Sequence, residues 1–330
     1  MVENAAEIAR DAVRRVEFGP LTTCRNLSVL SLSAASDDEV AYLTLDEALA
    51  QRSVQVVEVS EGGRVPELKI VNGGERPVLL LDGEELLGAK QNRVLNLTIL
   101  APARATRVVP VSCVESGRWR HTSAGFVAAS RAQFAEGRAA KMQHVTSSLR
   151  ESGSRASDQG DVWQLIAEKS ARLGAVSETS AMSAMFDSYE GSLDECVAAF
   201  TPVAGQAGAV FFVNGRPAGL ELFDAARTWR MLAPKLIRSY ALDALDQPDE
   251  ASESDAAAEA KTFIDRLMSS EASVFQAVGQ GEDVRFEGAD VVGAALVVSG
   301  KAIHVSAFPT ASTGKKGRRP RAGRNGASQA

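Results

Sequence analysis

Histidine and cysteine are scarce in this 330-residue chain, with three of each. His121, His144 and His304 stand far apart, so no metal centre built on histidine is expected. Cys24, Cys113 and Cys196 are odd in number and form no CxxC pair, which points to reduced thiols and away from a disulfide framework or zinc site. No apolar run approaches the roughly 20 residues that cross a bilayer. The opening stretch, MVENAAEIARDAVRRVEFGP, lacks the apolar block of a signal peptide. The expected compartment is the cytoplasm, with no membrane partner. Motifs are missing too: GxxxxGK[ST], GxGxxG after a strand, GxSxG and HExxH do not occur, so P-loop, dinucleotide-fold, hydrolase-elbow and zincin readings have no support. No cofactor is indicated.

What is present is core material, with 45% hydrophobic and 24% charged residues, enough to bury one large core or two modest ones. Charge is unevenly placed. The net charge is −6, and Lys315, Lys316, Arg318, Arg319, Arg321 and Arg324 crowd the end without an acid; removing those six positive charges leaves −12 on residues 1–308. The tail from 309 to 330 lacks apolar residues to offset ordering entropy, so its composition predicts disorder. Contact with nucleic acid, if any, is expected only through this tail. Residues 246–260, DQPDEASESDAAAEA, lose the apolar period and read as a linker or exposed loop.

Between residues 24 and 115, CRNLSVLSL, VQVVEVS, VPELKIVN, PVLLLDG, RVLNLTIL and RVVPVSCVE read as short strands separated by Gly, Asn or Pro. They are too short for parallel crossovers, which predicts an antiparallel sheet or sandwich, interrupted by one short helix near TLDEALAQ. From residue 128 the period changes. Ala135, Ala139, Met142, Val145 and Leu149 predict a helix stopped at Gly153, and Val162, Ile166 and Leu173 predict a second, capped by Ser157 or Asp158 and closed by Gly174. A third runs from Met182 through Phe200. The last third reads as a hairpin turning at Asn214-Gly215, a long helix kinked at Pro234, a helix around Phe263 and Leu267, and a hairpin turning at Ser299-Gly300. The fold class is α+β: an antiparallel N-terminal sheet or sandwich, central helices, and C-terminal hairpins and helices packed on it.

The stretch LLGAKQNRVLNLTI, residues 86–99, carries Lys90, Gln91, Asn92 and Arg93 inside an apolar segment. Strand side chains alternate between faces. If Leu95, Leu97 and Ile99 face the core, Gln91 and Arg93 continue that face, which puts Arg93 at the mouth of the interior, while Asn92, Asn96 and Thr98 point the other way. In RVVPVSCVE the face of Val109 and Val111 runs on to Cys113 and Glu115. Asp82, Glu84 and Glu85 lie just upstream. Carboxylates can take ribose hydroxyls, arginine offers a fork for phosphate, and amides supply hydrogen-bonding edges. The cluster is therefore read as a site for a polar, anionic ligand; the plain alternative is a salt-bridge network closing a sheet.

The phrases LTLDEAL, VPELKIVN, VLLLDGEELLGAKQNRVLNLTIL, PVSCVESGRW, SDQGDVW and PKLIRSYALDAL resemble the ARG and rhodanese-phosphatase-superfamily-associated protein domain, a prokaryotic family in whose name ARG stands for ADP-ribosylglycohydrolase. The resemblance spans about residues 18–308. It sets aside an N-terminal stub, 1–17, and the basic tail, and leaves a β-rich part, 18–125, and a helical and hairpin part, 126–308. The polar positions that match are Glu84, Glu85, Lys90, Gln91, Asn92, Arg93, Ser112, Cys113, Glu115, Arg118, Trp119, Ser157, Asp158, Gln159 and Trp163. The family brings no catalytic assignment to them. What it implies is an ADP-ribose-related small molecule, or proteins that handle ADP-ribose, as partners.

Read chemically, Cys113 is a candidate nucleophile if Arg118 or Lys90 lowers its pKa, though a buried structural thiol is the stronger reading. Glu115 and Glu85 are candidate general bases. Trp119 and Trp163 can stack a base, and the helix start SDQG offers amides to an anion or simply an N-cap. Two functions remain. The first is a sensing or accessory module binding ADP-ribose or NAD; the second is an enzyme acting on ADP-ribose or a related nucleotide-phosphate compound through a glutamate base.

Overall fold

A computed structural model describes residues 4–34, 40–60, 62–63, 65–123, 125–250 and 254–310. Helix α1 (Ala5–Arg14) is followed by β1 (Glu17–Cys24), β2 (Leu27–Ser33), β3 (Leu43–Thr44), α2 (Leu45–Ala50), β4 (Val54–Glu58), β5 (Glu67–Asn72), β6 (Val78–Leu80), β7 (Glu84–Gly88), β8 (Arg93–Leu95), β9 (Ile99–Ala101), β10 (Ala105–Cys113) and β11 (Phe126–Ala132). The helical middle comprises α3 (Ala135–Ser152), α4 (Gln159–Leu173), α5 (Ser183–Ser188) and α6 (Glu190–Ala199). Then come β12 (Gln206–Val213), β13 (Arg216–Phe223), α7 (Ala226–Leu245), α8 (Ala256–Ser269), β14 (Glu271–Gln276), β15 (Glu282–Glu287), β16 (Val291–Val298) and β17 (Lys301–Pro309).

The fold is α+β, built on large antiparallel sheets. An eight-stranded sheet has the order β1-β2-β12-β13-β17-β16-β15-β14, and a six-stranded sheet the order β11-β7-β8-β10-β5-β4. A small sheet, β3-β6-β9, contains a parallel pair, β3 with β6, where only antiparallel pairing was expected. In β12 alternate residues serve two cores. Ala209, Phe211 and Val213 join α6 and α7 on one face, and Val210 and Phe212 join α1 and α8 on the other, which is why the whole strand is buried. The six-stranded sheet curls until β11 approaches β4; a Cβ on Gly125 would lie 3.0 Å from the Val56 carbonyl. Val54, Val56, Leu68, Ile70, Leu86, Leu95, Val109, Val111 and Phe126 fill the barrel-like interior this makes.

Local chemistry sets the helix ends. Thr44 and Glu47 form a reciprocal capping box at α2, Asp158 accepts from the amides of Gly160 and Asp161 at α4, and Gly153 and Gly174 take the left-handed conformation that closes α3 and α4. Both hairpin turns form where expected, with Asn214-Gly215 and Ser299-Gly300 all at positive φ.

Several boundaries differ from the sequence reading. The residues set apart as a stub form α1, whose Ala5, Ala6, Ala9 and Val13 pack on the eight-stranded sheet because small side chains let the helix lie close. The segment read as a linker ends in a helix: Asp255 caps α8 through the amides of Ala257 and Ala258, and the alanines that follow are strong helix formers. The single third helix splits into α5 and α6 at Tyr189, whose hydroxyl donates to the Leu173 carbonyl at 2.8 Å. Pro234 lies inside α7 without ending it. The segment from Cys24 turns at Arg25-Asn26, so Cys24 ends β1 and only the residues from Leu27 onward form β2. Of the tail, Pro309 belongs to β17 and the amide of Thr310 donates to the Asp290 carbonyl; residues 311–330 lie outside the described residues.

Candidate functional site

At one end of the barrel the turn between β7 and β8 meets Gly62 and Gly63 after β4 and the segment following β10. Arg93 begins β8 opposite Leu86 and Cys113, so it shares the inward face of Leu95 as the alternation predicted. It does not stand open at the mouth. Arg93 is 0% exposed, lying beneath Trp119, which is 48% exposed. The guanidinium carbon is 5.7 Å from the Trp119 ring centre, and Lys90 Nζ is 5.2 Å from the same ring. Arg93 Nη1 donates to Gln91 Oε1 at 2.9 Å, whereas Nε and Nη2 are buried with no hydrogen-bond partner among the described residues. Burial pushes its pKa down. Lys90 donates to the Gly62 carbonyl at 2.6 Å.

Arg118, Glu115 and Gln91, beside Arg93, are engaged with one another and with the loop. Arg118 donates to Glu115 Oε2, the carbonyls of Ala89 and Arg120, Thr122 Oγ1 and Asn92 Oδ1, so its fork staples the loop and has no donor left for a ligand. Glu115 accepts from Arg118, from the Thr179 hydroxyl at 2.8 Å and from the Asn92 amide. Burial alone would raise its pKa, but these donors outweigh it and hold the carboxylate below its ordinary range. Gln91 Nε2 donates to the Glu115 carbonyl. Cys113 is fully buried, its thiol faces the Glu115 carbonyl at 3.4 Å, and burial raises its pKa despite the Glu115 backbone and the charge of Arg93. This is a packed thiol, not an activated one.

On the outer side of β10, Gln159 doubles the strand: its Oε1 accepts from the Cys113 amide and its Nε2 donates to the Cys113 carbonyl, both at 2.8 Å. Ser157 meets the Ser112 hydroxyl at 2.5 Å. Asp158 spends its carboxylate on its own helix, so SDQG docks α4 against the site as an N-cap. Trp163 is 36% exposed on the same helix. Glu84 and Glu85 serve other places. Glu84 is paired with Lys235, which also holds Asp46 at 2.7 Å, and burial raises the Glu84 pKa even so. Glu85, on the opposite face of β7 from Leu86, pairs with Arg131 at 2.5 Å, and Arg131 also holds Asp187. Burial raises the Glu85 pKa as well.

Two groups escaped the sequence reading. Glu58 ends β4 beside the site, in a phase that the alternation of Val54 and Val56 could have revealed. The second is a buried ionic network between the two large sheets. Arg138 pairs with Glu221 at 2.6 Å and Asp82 at 3.3 Å, and Lys141 pairs with Asp82 at 3.0 Å. His304 bridges Glu221 and the Thr98 hydroxyl at 2.9 and 2.8 Å. Its members lie far apart in sequence, and no local spacing announces it. The small cleft beside it, lined by Asp82, Thr98, Asp283, Arg285 and His304, has room for about one water molecule. Among the described residues no group of three His, Cys, Asp or Glu side chains could hold a metal ion, and no helix is long and apolar enough to cross a membrane.

No curated protein and no solved structure matches the chain. The pattern of the ARG and Rhodanese-Phosphatase-superfamily-associated Protein domain matches residues 15–308, a span that begins just after α1 and takes in every strand and helix that encloses the Arg93 site. Nearly the whole chain is covered, and it belongs to that family.

Proposed function

We propose that this protein binds an anionic, ribose-bearing ligand at Arg93, in a sensing or accessory role, with ADP-ribose the first candidate and NAD the next. The observation that carries this reading is a wholly buried guanidinium with two nitrogens, Nε and Nη2, unpartnered among the described residues. Proteins seldom bury a charge without an opposite partner, and a phosphate or carboxylate would supply both the charge and the acceptors. Lys90 adds a second cation and half-exposed Trp119 a stacking surface for a base. The family's association with proteins that handle ADP-ribose is the reason to try that nucleotide first.

A binding role is preferred to catalysis because the reactive candidates are occupied. Glu115 is held ionised by Arg118, Glu85 is tied to Arg131, and the Cys113 thiol is buried with a raised pKa. The test is a thermal-shift and calorimetric screen of the purified protein against ADP-ribose, NAD, ATP, inorganic phosphate and neutral sugars. A ligand present at about 100 times its dissociation constant raises stability by roughly 2.7 kcal/mol. Absence of any shift, with a partner protein co-purifying tightly, would replace this reading with that of an interaction module.

A further inference from the structure

The barrel mouth contains a second unsatisfied charge. Glu58 follows Val54 and Val56 on the inward face of β4, at the strand's last position. Both of its carboxylate oxygens are buried and neither has a hydrogen-bond partner among the described residues. Gly63 lies between it and the lysine: a Cβ there would sit 3.3 Å from Glu58 Oε2 and 3.3 Å from Lys90 Cδ. Glu58 is near enough to act on the charge of Arg93, yet the two form no ion pair, since none of their nitrogens and oxygens come within 4.0 Å. A buried guanidinium and a carboxylate with buried oxygens therefore lie near one another at the barrel mouth, each lacking among the described residues the partner its chemistry requires.

Charge decides what fits between them. Among the described residues, Glu115 and Arg118 neutralise each other, while Lys90 and Arg93 against Glu58 leave one positive charge. A zwitterion would satisfy both side chains but leave that charge uncompensated. A net anion balances it, and what such a ligand offers Glu58 must then be neutral donors. Hydroxyl groups on adjacent carbons match a carboxylate, whose two oxygens each accept one O–H.

We propose that Glu58 and Arg93 form a two-part recognition site for a phosphorylated sugar with a free vicinal diol, Glu58 accepting from the two hydroxyls and Arg93 donating to the phosphate. This rests on the anion-binding reading of Arg93 and adds to it the sugar requirement and the residue that imposes it.

Calorimetry on the full-length protein tests the assignment with ribose 5-phosphate, 2-deoxyribose 5-phosphate, inorganic phosphate and glycine. The wild type is expected to bind ribose 5-phosphate at least ten-fold tighter than the deoxy sugar. In Glu58→Gln that preference should disappear, with the deoxy sugar and phosphate bound at least as tightly as by the wild type, because the carboxylate that opposes Lys90 and Arg93 is gone. Glu58→Asp, which keeps the charge on a shorter arm, should retain part of the preference, and it serves as the readout if the glutamine variant does not fold. Wild-type binding with the same preference in both variants overturns the diol assignment alone. Tighter binding of glycine than of ribose 5-phosphate overturns it in favour of a zwitterion. A wild type that binds no phosphate compound overturns the anion reading of Arg93 as well.

Discussion

Replacing Arg93 with methionine should stabilise the ligand-free protein slightly while removing its anion site. The side chain is 0% exposed and keeps one short hydrogen bond, Nη1 to Gln91 Oε1 at 2.9 Å. Burying an unpaired ion costs several kcal/mol, taken here as about 4. The charged hydrogen bond to Gln91 returns about 2 kcal/mol and the cation–π contact with Trp119 about 1. Methionine fills a similar volume and gains about 2 kcal/mol of apolar burial, whereas Gln91 Oε1, left without its donor, costs about 2. The balance favours methionine by roughly 1 kcal/mol, a rise in Tm of roughly 2 °C for a chain of this size. Urea and thermal unfolding of both proteins, with and without ADP-ribose, measure it. The wild type should gain stability from the nucleotide and the variant should gain none. A loss of about 3–5 kcal/mol in the ligand-free variant would refute the reasoning, because that is the cost of breaking a paired buried ion and would make Arg93 a structural cation.

Arg138→Met should cost about 3–5 kcal/mol, since it strips Glu221 and Asp82 of their shared guanidinium in a fully buried setting; a urea midpoint within error of wild type would contradict this. Acid should destabilise the protein through Glu221, whose pKa burial would raise but which Arg138 and His304 hold below the ordinary carboxylate value. Its contribution is present above the unfolded pKa of about 4.3 and is lost as pH falls through the lowered native value. The acid limb of a Tm-versus-pH profile should therefore flatten in Glu221→Gln, and an unchanged limb would show that other carboxylates control it. Cys113→Ser should keep the nucleotide-induced thermal shift, because the thiol packs under the site and does not activate it; a folded variant without the shift would reverse that assignment.

The sequence determined what alternation and caps control. Asn214-Gly215 and Ser299-Gly300 specify their hairpins locally, Asp158 and Gly174 bound α4, and the α+β class follows from short strands flanking periodic helices. The inward phase of Arg93 was legible because Leu95 fixes the parity of β8. Strand order was not legible. The β1-β2 hairpin pairs with β12, about 180 residues later, and β11 pairs back onto β7, so the division into a β-rich front and a helical and hairpin back does not describe the sheets. Pairing across such separations depends on which apolar faces remain uncovered once the helices dock, and no local window contains that information. The candidate site followed the same rule. Sequence named Lys90, Gln91, Asn92, Arg93, Glu115, Arg118 and Trp119 as a group, but Arg118 and Arg93 look alike in a list of residues. Only the tertiary structure gives one of them five acceptors and leaves the other with two buried donors unmet, and only sheet closure brings Glu58 to the same mouth, because donor satisfaction depends on atoms contributed by distant strands.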